Sequence, residues 1–288
     1  MLEHFASIRK DSAAPWPGPR GPEITLGTDL LNISIRPEDG CRITSIKAHG
    51  TEILRQWSPE KRGFQYGCFP MVPWVGRVGG GLLYHAGRTH QLGINRPPHA
   101  LHGLACFRPW TAESDNDFSL DLSGIWPWDG CAQQHIEVNG NTLAISLVIS
   151  TLQEEFPAQA GWHPWFNRWL DDLPKSRQNE AELTFDADWQ EESGENQLPT
   201  GIRIPVQSGP WDDCFGNEHP TKAIIRWPGL MMSMESTTEW LTVFTKPDDS
   251  FCVEPLTGPP NGVNTAPRIV TTQSPLEITT RWTFTEEP

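Results

Sequence analysis

The chain of 288 residues carries 36 Asp and Glu against 22 Lys and Arg, a formal net charge of −14, which repels phosphate backbones and anionic lipid heads at long range. Its 25 Gly and 27 Pro fall below the roughly 25–30% share at which a non-periodic chain is usually disordered, and no run approaches the roughly 20 apolar residues of a membrane span. A folded protein is expected, with neither nucleic acid nor membrane as partner and, lacking an apolar leader in its first thirty residues, cytoplasmic.

Along the chain, residues 1–23, with Pro15, Pro17, Pro19 and Pro22, read as a flexible arm, and residues 24–288 as one domain. Strands are predicted over parts of 24–36 and 42–55. The alternation of Leu143, Ile145, Leu147 and Ile149 with Ala144, Ser146, Val148 and Ser150 predicts a half-buried strand after the turn Asn139-Gly140-Asn141. Segments 170–180 and 190–200 read as polar loops, with strands over parts of 182–188, 222–227, 230–236 and 239–246. In the last strand Leu276, Ile278, Thr280, Trp282 and Phe284 share one face. Many short strands and no helical periodicity predict an all-β fold of packed antiparallel sheets or a barrel. Six cysteines form no CxxC pair and are expected reduced and mostly buried.

Nucleotide-binding glycine motifs, HExxH and GxSxG are absent from the sequence, so nucleotide cofactors, zincin chemistry and a serine elbow lose support. The pair His99 and His102 has a weak metal spacing with no third ligand in register. Four clusters place a polar side chain among Trp, Gly and Pro: Pro73–Arg77, Ala100–Gly103, Gly161–Asn167 and Val253–Asn261, the composition of an apolar-walled cleft. Glu254 is expected at the end of the apolar strand Phe251–Val253, where partial desolvation raises a carboxyl toward general-base strength. His163, between Trp162 and Trp165, can hold a proton near neutral pH. Taken singly, such a histidine is more often structural, such a glutamate a solvated strand end, and Arg77 the partner of a surface carboxylate.

The clusters in this order resemble the aldose 1-epimerase family of galactose mutarotase-like enzymes, over roughly residues 24 to 285. The resemblance is carried by Gly76-Arg77, Leu101-His102-Gly103, Gly161 to Asn167, Trp211 to Phe215 and the Glu254 to Asn264 signature E-P-x-T-x-P-P-x-x-x-N. It implies a large antiparallel β-sandwich with a sugar cleft on one concave sheet, Glu254 as general base and His163 as general acid. It further implies that Arg77, His102 and Asp212 bind the sugar; Trp165 is expected to stack on it, with Trp74, Trp162 and Trp211 as further candidates. No cofactor and no metal are implied. Gly76, Trp165, Leu104 and Asn261-Gly262 depart from the residues frequent in galactose mutarotases, which leaves the sugar open.

The expected reaction is anomer interconversion of a free aldose through ring opening, by a monomer or a homodimer. A neutral aldose is preferred over one with an anionic C6 group, for which Arg77, Arg108 and Arg168 are the candidate cations. A non-catalytic carbohydrate-binding sandwich and a two-carboxylate glycoside-processing enzyme are the rival readings.

Overall fold

In the computed structural model, which describes residues 17–170 and 173–287, nearly all regular structure is antiparallel strand. Most of the expected N-terminal arm, residues 1–16, lies outside the described residues, as do residues 171 and 172 of the segment read as a loop. No described helix is long and apolar enough to cross a membrane.

Two large sheets dominate. The eight-stranded sheet contains the strands that the sequence marks most clearly. Thr142–Ser150 alternates buried and partly exposed residues along its whole length, and Leu276–Glu286 puts Leu276, Ile278, Thr280, Trp282 and Phe284 inside as expected. The two strands pair in register from Thr142 opposite Thr283 to Ile149 opposite Leu276. Their apolar faces meet side chains from the other sheet. Phe166 lies 5.5 Å from Trp282 and 6.3 Å from Trp227 between ring centroids, and Trp162 donates its indole N–H to Gln134 at 2.8 Å. Fully burying each large aromatic or aliphatic side chain in this layer is worth about 1.5–3 kcal/mol.

The eleven-stranded sheet carries the cleft. At its centre Cys68–Met71, Gly161–Asn167, Ser250–Leu256, Trp240–Phe244, Asp212–Gly216 and Trp189–Ser193 lie side by side in that order. Two sequence expectations are corrected here. Glu254 does not end its strand, because pairing runs on through Pro255 to Leu256. The polar stretch 190–200 is not a plain loop: Gln190 and Glu191 pair with Ile204 and Arg203, leaving a tight turn between two strands. All six cysteines are free and five are buried.

Candidate active site

One cross-strand row builds the floor of the site. Phe69 sits opposite His163. The pairing of Gly161 with Leu256 and of Trp165 with Cys252 sets His163 opposite Glu254. Glu254 is opposite Thr242, and Thr242 opposite Cys214. Because side chains alternate along a strand, Trp162, Pro164 and Phe166 turn to the core between the sheets, while His163 and Trp165 turn the other way. Both His163 and Glu254 precede a proline, which holds the preceding residue extended and removes a ladder N–H beside it.

Above this row lies a cavity of about 380 Å³, lined among others by Arg77, His102, His163, Trp165, Asp212 and Glu254, within the size range of small-molecule sites. All six residues expected at the site therefore meet in one place. His163 Nε2 lies 3.3 Å from Glu254 Oε1, with side chains only 6% and 4% exposed.

Loops complete the walls. Arg77 pairs with Leu101 in a two-residue ladder, and the His102 N–H donates to the Gly76 carbonyl at 2.8 Å. His102 itself has φ +58°. The next residue must be Gly103: at φ +68° a Cβ there would sit 2.1 Å from the Val72 carbonyl oxygen, so any side chain would push His102 out of place. The Glu254–Asn264 signature acts in the same way. The Thr257 hydroxyl accepts the Ala160 N–H at 2.9 Å. Asn261 accepts the Gly79 N–H, and Asn264 accepts the Tyr84 N–H, which pins the Arg77 segment against the strand that carries Glu254.

Burial sets the protonation of the pair. It raises the Glu254 carboxyl well above its ordinary value, with the nearby Asp212 charge adding to the rise and Arg77 opposing it. The same burial, reinforced by the Arg42 charge, pushes His163 down to about 3. His102 is driven well below its ordinary value by burial first, then by His163 and Arg77. Burial thus favours the uncharged form of each group, a protonated carboxyl beside a neutral imidazole.

Other expected residues lie elsewhere. Trp74 and Trp162 are buried in the core, and Trp211 does not line the cavity, so only Trp165 of the four candidate tryptophans can meet a ligand. His99 is tied to the Gly80 N–H at 3.2 Å and to the Asn196 carbonyl at 3.0 Å, a structural role. Arg168 donates to Glu180 and to the carbonyls of Thr245 and Pro247, and neither it nor Arg108 lines the cavity. Arg62 and Arg96 do line it, together with Phe64, Glu191, Asp213, Thr242 and Phe244, none of which was singled out from the sequence. Thr242 and Phe244 could have been found from alternation within their strand once its neighbour at Glu254 was known.

Among the described residues, one group of three potential metal donors occurs: His163, Cys252 and Glu254, with ligand atoms within 4.8 Å of one another. Burial raises the Cys252 thiol well above its ordinary value, which opposes the thiolate that a metal needs, and His163 Nε2 already faces Glu254. The donor set fits proton transfer better than metal binding.

The comparisons agree with the geometry. The family model described as aldose 1-epimerase matches residues 22–274. The uncharacterized protein YphB of Escherichia coli strain K12 is 29% identical over 150 residues, which span 49% of this chain and 51% of that protein. The chain thus matches about half the length of this curated relative. In fold, it is similar to a galactose mutarotase-like protein from Clostridium acetobutylicum, with a TM-score of 0.78, 15% identity and coverage of 91% of this chain and 95% of the other. It is also similar to galactose 1-epimerase from Lactobacillus acidophilus NCFM, with a TM-score of 0.75, 18% identity and coverage of 92% and 95%.

Proposed function

The chain belongs to the aldose 1-epimerase family, and from that premise we propose that it interconverts the α and β anomers of a free, neutral aldose by general acid–base ring opening. The observation that carries this reading is the buried 3.3 Å contact between His163 and Glu254 at the floor of the cavity. A pyranose bound with its C1 hydroxyl toward Glu254 and its ring oxygen toward His163 favours the tautomer with the proton on the imidazole. Glu254 then takes the hydroxyl proton as His163 protonates the ring oxygen, and the C1–O5 bond opens to the aldehyde. Rotation about C1–C2 and the reverse transfers close the other anomer. The pair holds one proton before and after each transfer, so turnover requires no exchange with solvent and no cofactor.

Arg77, His102 and Asp212 supply fixed hydrogen-bonding groups around the ring, and Trp165 an aromatic face. Asp212 already accepts from Gln197 at 3.2 Å and lies 3.7 Å from Lys246 Nζ, so its carboxylate is held on the cavity wall. A second reading, an aldose with an anionic C6 group, is favoured by one observation. Arg62, Arg77 and Arg96 all face the cavity, and none of them is ion-paired among the described residues. Against it, Glu191, Asp212, Asp213 and Glu254 line the same space.

NMR exchange spectroscopy across a panel of free sugars, with their 6-phosphates and 6-sulfonates at low and high salt, decides among these readings. Accelerated exchange of a neutral aldose, insensitive to chelators, is the expected result. An advantage of tenfold or more for the anionic sugars, lost in Arg62→Ala or Arg96→Ala, would favour the second reading. Saturable binding without acceleration would leave a carbohydrate-binding sandwich, and release of reducing sugar from a glycoside would mean a hydrolase.

A further inference from the structure

The row that carries the proton-transfer pair continues beyond the cavity, into residues that no substrate can touch. Ile43 pairs with Cys68, which sets Arg42 opposite Phe69, as Phe69 is opposite His163. The Arg42 guanidinium carbon lies 4.8 Å from the centroid of Phe69. The Phe69 ring stacks on the His163 imidazole at 4.9 Å and 21°. Trp165 stacks on the same imidazole at 5.2 Å and 21°, and the Arg55 guanidinium covers Trp165 at 5.0 Å. Two aromatic rings, each backed by a guanidinium, therefore hold the imidazole.

Arg42 is fully buried and fixed on every side. It donates to Asp39 at 3.2 Å, to the Tyr66 carbonyl at 2.8 Å and to the Gly63 carbonyl at 2.7 Å, while the Tyr66 hydroxyl donates to Asp39. An ion pair taken wholly out of water gains little stability over well-packed apolar residues. Its place one strand behind the imidazole calls for another account.

We propose that Arg42, held by Asp39 and acting through Phe69, is a positioning residue that fixes the His163 ring for proton transfer to a sugar ring oxygen. The proposal rests on the anomer-exchange reading of the site. Phe69 and Trp165 offer π faces that support an imidazolium. The Arg42 charge behind Phe69 opposes that support, so the proton leaves His163 readily once a ring oxygen accepts it. The other charged and titratable groups facing the imidazole are Glu254 and Cys252 from the adjacent strand, His102 from its loop at 4.9 Å, and Arg55 behind Trp165. Arg77 and Asp212 act on it through Glu254. Of these, only Arg42 and Arg55 lie behind an aromatic ring, and Arg42 is the one in the row of the proton-transfer pair.

Catalysis needs the pair to hold one proton, so the acid limb of the rate profile marks entry of a second proton, onto His163. Removing the Arg42 charge makes that entry easier and moves the limb up in pH. The test compares Arg42→Met/Asp39→Asn, which removes the ion pair as a unit, with Arg42→Lys, which keeps the charge, and with Phe69→Leu, which keeps apolar volume and loses the ring. Each is followed by NMR anomer exchange against pH and by ¹⁵N titration of the His163 imidazole, which reads the ring even when no sugar turns over. The double variant is expected to raise both the imidazole titration and the acid limb by about one pH unit and to lower kcat about tenfold with KM unchanged. Arg42→Lys is expected to keep the wild-type limb. Phe69→Leu is expected to lower kcat about fivefold with KM unchanged, the loss of one cation–π face. A folded double variant whose imidazole titrates as in the wild type overturns the proposal. If the double variant does not fold, Phe69→Leu decides: wild-type kcat and titration overturn it, and the expected loss with an unchanged KM supports it. Absence of exchange in the wild type, with the titration shift intact, would count against the anomer-exchange reading alone.

Discussion

The strands Leu276–Glu286 and Gly161–Asn167 lie in facing sheets and share a core, yet they are buried differently. The first alternates, with Trp282 and Phe284 inside and Glu277 and Arg281 in solvent. The second is buried along six of its seven residues, because one face packs into the sandwich through Trp162 and Phe166 while the other lies under the loops around the cavity. The difference separates two kinds of work. In the first strand burial contributes stability alone. In the second, Phe166 contributes stability, while His163, three residues earlier, lies 3.3 Å from Glu254 at the floor of the cavity. Substitutions on the two strands should therefore change different observables.

The largest expected effect is on rate. Glu254→Gln and His163→Asn should each lower anomer exchange by about 10²–10⁴-fold, measured by NMR exchange spectroscopy, with little change in thermal unfolding. Both transfers occur in each direction, so loss of either group removes most of the acid–base contribution. A variant at either position with near wild-type exchange and unchanged unfolding would falsify the assignment of the pair.

The same contrast explains what was legible in the sequence. Alternation announces a strand when one face is wet, and it found Thr142–Ser150 and Leu276–Glu286 closely. It fails where both faces are covered, since a strand buried on both sides reads as a continuous run. In Gly161–Asn167 and Ser250–Leu256 the prolines Pro164 and Pro255 also argue against a central strand, although here each stands beside a member of the proton-transfer pair. The resemblance to the aldose 1-epimerase family nonetheless implied roles for Glu254, His163, Arg77, His102 and Asp212, with Trp165 a stacking candidate, and all six line one cavity. Glu191, Thr242 and Arg96 were not visible. Their places depend on strand register and loop approach, and nothing local in the sequence encodes those.

The next effect is on stability. Trp282→Ala should cost about 3–5 kcal/mol, because the indole is fully buried, packs on Phe166 at 5.5 Å and donates its N–H to Thr280 at 2.9 Å. Denaturant unfolding measures the loss. At temperatures where the variant stays folded, kcat should lie within about twofold of wild type, since Trp282 lies in the opposite sheet from the proton-transfer pair and outside the cavity lining. A drop in kcat comparable to that of Glu254→Gln, in a folded sample, would mean that the two strands do not divide the work in this way.

The smallest effect is a dependence of stability on pH that belongs to Glu254. Burial raises its folded-state pKa above the ordinary carboxylate value. The stability this group contributes is therefore complete below the unfolded-state value and is lost as pH rises toward the folded one. Glu254→Gln removes that loss, and the amide can still donate to His163 Nε2, so that ring nitrogen keeps a partner. The variant should gain on the wild type as pH rises from about 4.5, by at most about 1.4 kcal/mol per pH unit until the folded-state pKa is reached. His163 changes stability in the opposite sense, because its depressed pKa removes stability as pH falls from about 6.5 toward 3. That contribution is present in both proteins and largely cancels in their difference. Denaturant unfolding of the two proteins at pH 5 and pH 8 measures the gap, which should be wider at pH 8. An equal gap at both values would mean that Glu254 is already ionised in the folded protein near pH 5, and the single proton of the pair would then rest on His163.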